Sequence, residues 1–206
     1  MENDICLFGA SGHCKVIIDI LESNNVSVDF IVDDNPKTNE LLSIPVIHSN
    51  ELSDLRNKKM IVSIGNNSIR KKIVANLKTQ FFKTIHNRAI VSGYSTIQEG
   101  TVVMAGAIIN ASVKIGSHCI INTGAVIEHD CQINNFVHIS PNASLAGGVE
   151  IGEGAHIGIG ASIIQGIKIG KWAIVGAGTV VIKDVPDYAV VVGNPGKIIK
   201  YLNKEI

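Results

Sequence analysis

Aromatic side chains are scarce in this 206-residue chain: they make up 4 % of it, whereas apolar types as a whole reach 46 %. Its core must therefore be aliphatic, which favours folds built from stacked short repeats over folds packed around rings. Net charge is missing as well, because 18 basic residues balance 18 acidic ones. That balance leaves no electrostatic footprint for nucleic acid and no polybasic patch for a membrane surface. No apolar run approaches the ~18 residues of a membrane span, and the opening MENDICLFG lacks the basic and apolar stretches of a leader. The four cysteines (Cys6, Cys14, Cys119, Cys131) form neither a CxxC pair nor a disulfide-like spacing, so buried free thiols are expected. No HExxH or Cys/His cluster is present, and no metal is expected. Together these absences describe a protein of the reducing cytoplasm.

What is there is a repeat. Stepping by six from Val91 through Ile97, Val103, Ile109 and Ile115 to Val181 meets sixteen consecutive aliphatic positions without an insertion. With about a third of residues aliphatic, chance gives roughly 10⁻⁸ for such a register. Four residues further on, each unit carries a small or apolar residue, among them Ser95, Ala107, Cys119, Ala125, Cys131 and Ala143. Six residues make one short strand and one turn, three units close a triangular coil, and successive coils stack through parallel ladders about 4.8 Å apart. The spacing predicts a parallel β-helix over residues 87–186, with 187–206 as a closing segment.

Residues 1–86 follow another rhythm. An apolar strand at 5–8 runs into Gly9-Ala10-Ser11-Gly12-His13 and an amphipathic segment at 15–21. A strand at 29–32 ends in Asp33-Asp34, and a strand at 60–64 ends in Gly65-Asn66-Asn67 before a helix at 68–77. Alternating strand and helix predicts a small parallel sheet with crossover helices, a Rossmann-like α/β domain. Glycines after the first strand allow a phosphate to approach backbone N–H groups at a helix start. Acids after the second strand are placed for ribose hydroxyls. All three loops follow strands and share one sheet edge, which makes a nucleotide-type ligand the better reading.

Seven histidines are present, and the repeat register sorts those in the coil. His129 falls at an outward corner beside Asp130, and Gly147 stands one coil above it with bare backbone. An imidazole next to a carboxylate at an uncrowded corner is a candidate general base. His138 and His156 lie one coil apart and should stack in one column.

Several strings carry a family resemblance: FGASGH at 8–13, Asp33-Asp34, SIGNNSIRKKI at 63–73, TIHNRAIVS at 84–92, INTGAVIEHDC at 121–131, FVHIS at 136–140, AGGVEIG at 146–152 and VVGNPGKII at 191–199. Over essentially the whole chain they resemble the hexapeptide-repeat sugar O- and N-acetyltransferases of the NeuD/PglD type, most of all the UDP-4-amino-sugar N-acetyltransferases. The resemblance implies a left-handed coil, acetyl-CoA as cosubstrate, a UDP-amino-sugar substrate, and a homotrimer with sites between subunits. It implies His129 as catalytic base and Asp130 as its supporting carboxylate, where relatives commonly carry Glu. It places His138, Gly147, Ile159, Ala177 and Lys197 around acetyl-CoA. Ser11, Gly12, His13, Asp33, Asp34, Gly65, Asn66 and Asn122 are placed around the sugar nucleotide. A hydroxyl acceptor, as in sialic acid O-acetylation, and a non-catalytic sugar-nucleotide-binding β-helix are the competing readings.

Overall fold

The computed structural model describes residues 5–51 and 58–203; the opening MEND lies outside them. The front of the chain forms a six-stranded sheet in the order β3-β4-β2-β1-β5-β6. Its strands are β1 (Ile5–Phe8), β2 (Phe30–Asp33), β3 (Glu40–Leu41), β4 (Ile44–His48), β5 (Lys59–Val62) and β6 (Gln80–Phe81). The central pairs β1–β2 and β1–β5 are parallel, and only the short β3–β4 contact is antiparallel. Helix α1 (Gly12–Ser23) buries Cys14, Ile17, Ile18, Ile20 and Leu21, the stripe that helical spacing puts on one face. Helix α2 (Asn67–Asn76) starts at Asn66, whose side chain accepts the N–H of Ile69 and so satisfies one orphan donor of the first turn. The β3–β4 hairpin and β6 had no counterpart in the sequence reading; β3 and β6 have two residues each, and Pro45 interrupts the apolar run of β4.

The rest is a left-handed parallel β-helix. Two-residue strands recur every six residues and pair eighteen apart, as in Ile121↔Ile139 and Ile139↔Ile157. They form three faces. Face one holds Thr84–Ile85, Val102–Val103, Ile120–Ile121, His138–Ile139, His156–Ile157 and Ile174–Val175. Face two runs from Ile90–Val91 to Val180–Val181, and face three from Thr96–Ile97 to Lys168–Ile169. The coil thus begins at Thr84, one unit before the register counted from Val91. In each strand the second residue points inward; it is buried except at Ile85 and Val91 in the first coil, which are partly buried, and the small column fills the corners of the same core. Ala189–Val192 extends face one, and Lys197–Tyr201 folds back antiparallel on it.

What points outward differs by face. Face three shows Thr96, Lys114, Gln132, Glu150 and Lys168, including a Lys168–Glu150 ion pair at 3.2 Å. Face two shows Ile90, Ile108, Val126, Ser144, Ser162 and Val180, uncharged throughout, with Ile90 65 % exposed. Face one is covered by the front domain: Val102, Met104 and Ile120 join one apolar cluster with Leu7, Cys14, Ile17 and Ile61.

The inner column contains two threonines in opposite circumstances. Thr101 Oγ1 donates to Gly116 O at 2.8 Å and accepts the N–H of Cys119 at 2.9 Å. Thr179 is equally buried, and its hydroxyl has no partner. Thr179→Val is therefore expected to stabilise the protein by about 1 kcal/mol, and Thr101→Val to destabilise it by about 1–3 kcal/mol. Equilibrium urea unfolding of the two variants checks the opposite signs.

Candidate functional site

At the corner between faces two and three, His129 Nδ1 lies 2.8 Å from Asp130 Oδ2, with both side chains well exposed. A carboxylate can only accept, so Nδ1 carries the proton and donates; in the neutral tautomer this contact selects, Nε2 is the nitrogen with the lone pair. Asp130 has φ +62°, in a corner column where the next two coils use Gly148 and Gly166. Asp tolerates that left-handed conformation better than most side chains, and there its carboxylate meets the ring. Gly147 stacks directly above: a Cβ there would stand 2.7 Å from His129 Cε1 and 2.8 Å from Nε2. The Gly148 N–H is taken by His129 O at 2.9 Å, whereas the Gly147 N–H has no partner among the described residues. Cys131, two residues on, faces the interior, is fully buried and has its thiol pushed up by burial. An inward thiol held in the protonated form is no relay for an exposed acyl group.

The front loops form a second group. Gly9 sits at φ +108°, and a side chain there would strike Ile64. Its N–H donates to Val32 O at 2.7 Å. Asp33 does something other than wait for a ribose: Oδ2 accepts the Ala10 N–H at 2.7 Å and Oδ1 the Asn35 N–H at 2.8 Å. Its carboxylate shapes both loops from within. Ser11, Gly12 and Asp34 are exposed, and Ser11 makes no capping bond. Asn66 Oδ1 is likewise engaged by Ile69 N and Ser68 Oγ. Beneath these loops, on face one, Asn122 Nδ2 donates to His138 Nε2 at 3.1 Å. His138 and His156 stack with ring centroids 4.7 Å apart, and Ser140 Oγ meets His156 Nε2 at 2.8 Å. Beside them a cleft of about 240 Å³ opens between the start of α2 and the coil, lined by Asn66, Ser68, His156 and Trp172 among others.

A third group lies at the corner between faces one and two, where Ile159 and Ala177 stack one coil apart and both are exposed. The loop before Lys197 covers that corner, with Gly196 N donating to Val180 O at 2.8 Å and Val180 N to Gly193 O at 3.1 Å. The residues read from the sequence are therefore split. His129, Asp130 and Gly147 occupy the corner opposite face one; His13, Asn122 and His138 lie at face one; Ile159, Ala177 and Lys197 flank the corner between. Among the described residues no group of His, Cys, Asp or Glu is arranged to hold a metal ion, and no helix is long and apolar enough to cross a membrane.

A coil of hexapeptide repeats with an exposed imidazole–carboxylate pair on its edge, under an α/β domain with glycine-rich strand-end loops, has the architecture of a hexapeptide-repeat acyltransferase. The comparisons agree. Residues 4–77 match the PglD N-terminal domain, and 94–129 and 148–183 match the bacterial transferase hexapeptide (six repeats). PerB from Caulobacter crescentus, solved with CoA and GDP-perosamine, is 38 % identical with a TM-score of 0.88, over 97 % of this chain and 99 % of that one. The acetyltransferase domain of PglB from Neisseria gonorrhoeae, solved with acetyl coenzyme A, is 36 % identical with a TM-score of 0.89, over 97 % and 100 %. UDP-N-acetylbacillosamine N-acetyltransferase of Bacillus subtilis (strain 168) is 45 % identical over 111 residues, so the match spans 50 % of this chain and about half the length of that curated relative, 51 %. The chain belongs to the PglD-type family of hexapeptide-repeat sugar N-acetyltransferases.

The sequence did not single out Arg70 or His118, both buried where the front domain meets the coil. Burial, then the charge of Arg70, pulls the imidazoles of His13 and His118 from the ordinary 6.5 down to about 4. Burial, followed by His156, Arg70 and His13, pulls His138 to about 3. Unfolded, these rings titrate near 6.5, so in acid the unfolded chain binds more protons. Their contribution is intact above that pH and is lost as pH falls toward 4.

Two outcomes follow. The melting temperature should drop between pH 7 and pH 4.5, and less steeply in His118→Phe, which keeps the ring between Phe81 and Phe136. At the corner, Gly147→Ala should fold normally, because only an exposed imidazole has to move. If the imidazole takes part in turnover, displacing it should lower the rate by about tenfold or more; a wild-type rate would mean that His129 has no fixed role there.

Proposed function

We propose that this protein moves the acetyl group of acetyl-CoA to the C4 amine of a UDP-4-amino-4,6-dideoxy sugar. The observation that carries the reading is the His129–Asp130 pair, exposed at a coil edge beneath a glycine that leaves its ring uncovered. An ammonium cannot attack a thioester, so a base must take a proton before or during attack. His129 Nε2 is the acceptor for it. Asp130, bonded to Nδ1–H, holds the tautomer and stabilises the imidazolium. The unpartnered Gly147 N–H is the donor for the oxygen that gains charge. Exposed Ile159 and Ala177, with bare glycines beside them, fit the apolar arm of acetyl-CoA, and Lys197 fits one of its phosphates. The loops at Ser11, Gly12, His13, Asp34, Gly65 and Asn66 take the sugar nucleotide, with Asn122 and His138 beneath.

The base stands at the corner opposite the face that the front domain covers, so one chain does not bring its base to its own loops. A homotrimer in which face two packs against a neighbour supplies the missing half. Its outward column, Ile90, Ile108, Val126 and Val180 with Ser144 and Ser162 between, carries no charge and supports that choice over the charged face three. The amine acceptor is supported by the relatives, which are N-acetyltransferases of sugars. A GDP-linked amino sugar is the second reading, since PerB was solved with GDP-perosamine.

The test is release of CoA thiol from acetyl-CoA, with UDP-linked and GDP-linked 4-amino-4,6-dideoxy sugars offered separately. Faster release with the UDP sugar is expected, and preference for the GDP sugar would shift the reading to the second. His129→Ala should lower turnover by about 10²–10⁴-fold, and an undiminished rate would remove it as base. Asp130→Asn should cost less, and Cys131→Ala should leave the rate unchanged.

A further inference from the structure

Arg70 is the only Arg or Lys fully buried among the described residues, at 1 % exposure. It leaves α2 and enters the junction between the front domain and face one. Each of its five N–H groups has an oxygen. Nε donates to His118 O at 2.9 Å; Nη1 donates to Ile64 O at 2.9 Å and Gly65 O at 3.3 Å; Nη2 donates to Asn67 Oδ1 at 2.7 Å and Phe136 O at 3.0 Å. None of these acceptors is a carboxylate. Asn67 continues the pattern, with Nδ2 donating to Gly154 O at 3.0 Å and Ala155 O at 3.1 Å. His118, Phe136 and Gly154 stand eighteen residues apart, one per coil in a single corner column, all with left-handed backbone. The start of α2 thus grips three successive rungs of the β-helix, and the same guanidinium holds the two carbonyls that lead into Asn66.

We infer that Arg70 is a positioning residue for acetyl transfer: it sets the Gly65–Asn66 loop at a fixed height and angle over Asn122 and His138. The inference rests on the reading of that loop as part of the sugar-nucleotide site. A buried cation without a counter-ion is a poor device for stability alone, because an apolar side chain of similar volume does as well or better there. What the guanidinium supplies is geometry, a planar fork whose donors diverge toward both partners at once. A lysine ammonium, a point charge with three donors, cannot span those oxygens. Burial first, and the nearby Arg70 charge in addition, keep the imidazoles of His13 and His138 under the loop neutral.

The experiment compares the full chain with Arg70→Lys and Asn67→Ser, using the acetyl-transfer assay, amide hydrogen exchange and calorimetric titration with UDP and GDP. Arg70→Lys should raise the nucleotide-sugar KM by about tenfold or more and leave the acetyl-CoA KM within about twofold. Exchange at residues 63–67 should speed up while the face-three strands stay protected. Asn67→Ser, which removes one of the five acceptors, should act in the same direction with smaller size, and it decides the matter if the lysine variant does not fold. A folded Arg70→Lys protein with unchanged nucleotide-sugar KM and unchanged exchange at 63–67 overturns the inference. So does an equal rise in both KM values with a lowered melting temperature, the mark of a merely structural role. If the wild type binds UDP or GDP but transfers no acetyl group, the reaction fails and positioning does not; nucleotide affinity then replaces KM, with a drop of about tenfold expected in Arg70→Lys. A wild type that binds neither nucleotide overturns both.

Discussion

Every other feature of the molecule depends on the unbroken six-residue phase of its coil. The interior of each rung holds one large aliphatic and one small residue per strand, and a parallel ladder fixes each rung on the one below, as in Asn122 N to Ile139 O at 2.9 Å. One inserted residue would turn the aliphatic side chains outward in the unit that carried it. Polar chemistry is therefore confined to places that the phase leaves free, the outward strand positions and the corners. The corners are the more permissive, because a side chain there packs against only the rungs above and below. His129 is such a residue, and Gly147 keeps the rung above from covering it.

The junction between the two parts of the chain obeys a different rule. Face one is apolar at Val102 and Ile120, where α1 packs, and turns polar at His138 and His156, where the loops arrive. A buried junction with polar groups is stable only if those groups are satisfied. Arg70 and Asn67 do this on the α2 side by taking the corner carbonyls of His118, Phe136 and Gly154, which no coil neighbour among the described residues uses. On the histidine side the accounting is incomplete: His13 Nε2 and His138 Nδ1 are buried with no partner. Both rings are held neutral, so each such nitrogen is a modest cost.

The repeat was legible because it is written in residue size. Sixteen aliphatic steps predicted the three-sided coil, and the same register placed His138 over His156 and Gly147 over His129 before any coordinates. Strand-end loops of the front domain were legible for the same reason, since Gly9, Asp33 and Gly65 interrupt apolar runs. What the sequence hid was the use to which polar residues are put. Asp33 and Asn66 look like ligand groups, yet their oxygens are taken by the chain's own N–H groups. Arg70 reads as one more charge in IRKK, and nothing in that string marks which of its neighbours points to solvent. Long-range contacts to backbone carbonyls leave no trace in composition or period.

The division of the site residues among three parts of the coil follows from the same triangle. Face one is occupied by the front domain, and the vertex most remote from a face is the corner between the other two. The imidazole at that vertex gains solvent access, at the cost of separation from the loops of its own chain. The separation has a benefit on the proposed reading. With base and sugar-nucleotide loops on different chains, an isolated subunit holds the proton acceptor and the acceptor sugar too far apart for transfer. Acetyl-CoA bound to a lone subunit then meets no activated amine. On that reading acetyl transfer would be a property of the assembly, set only by which corner of the coil carries the imidazole.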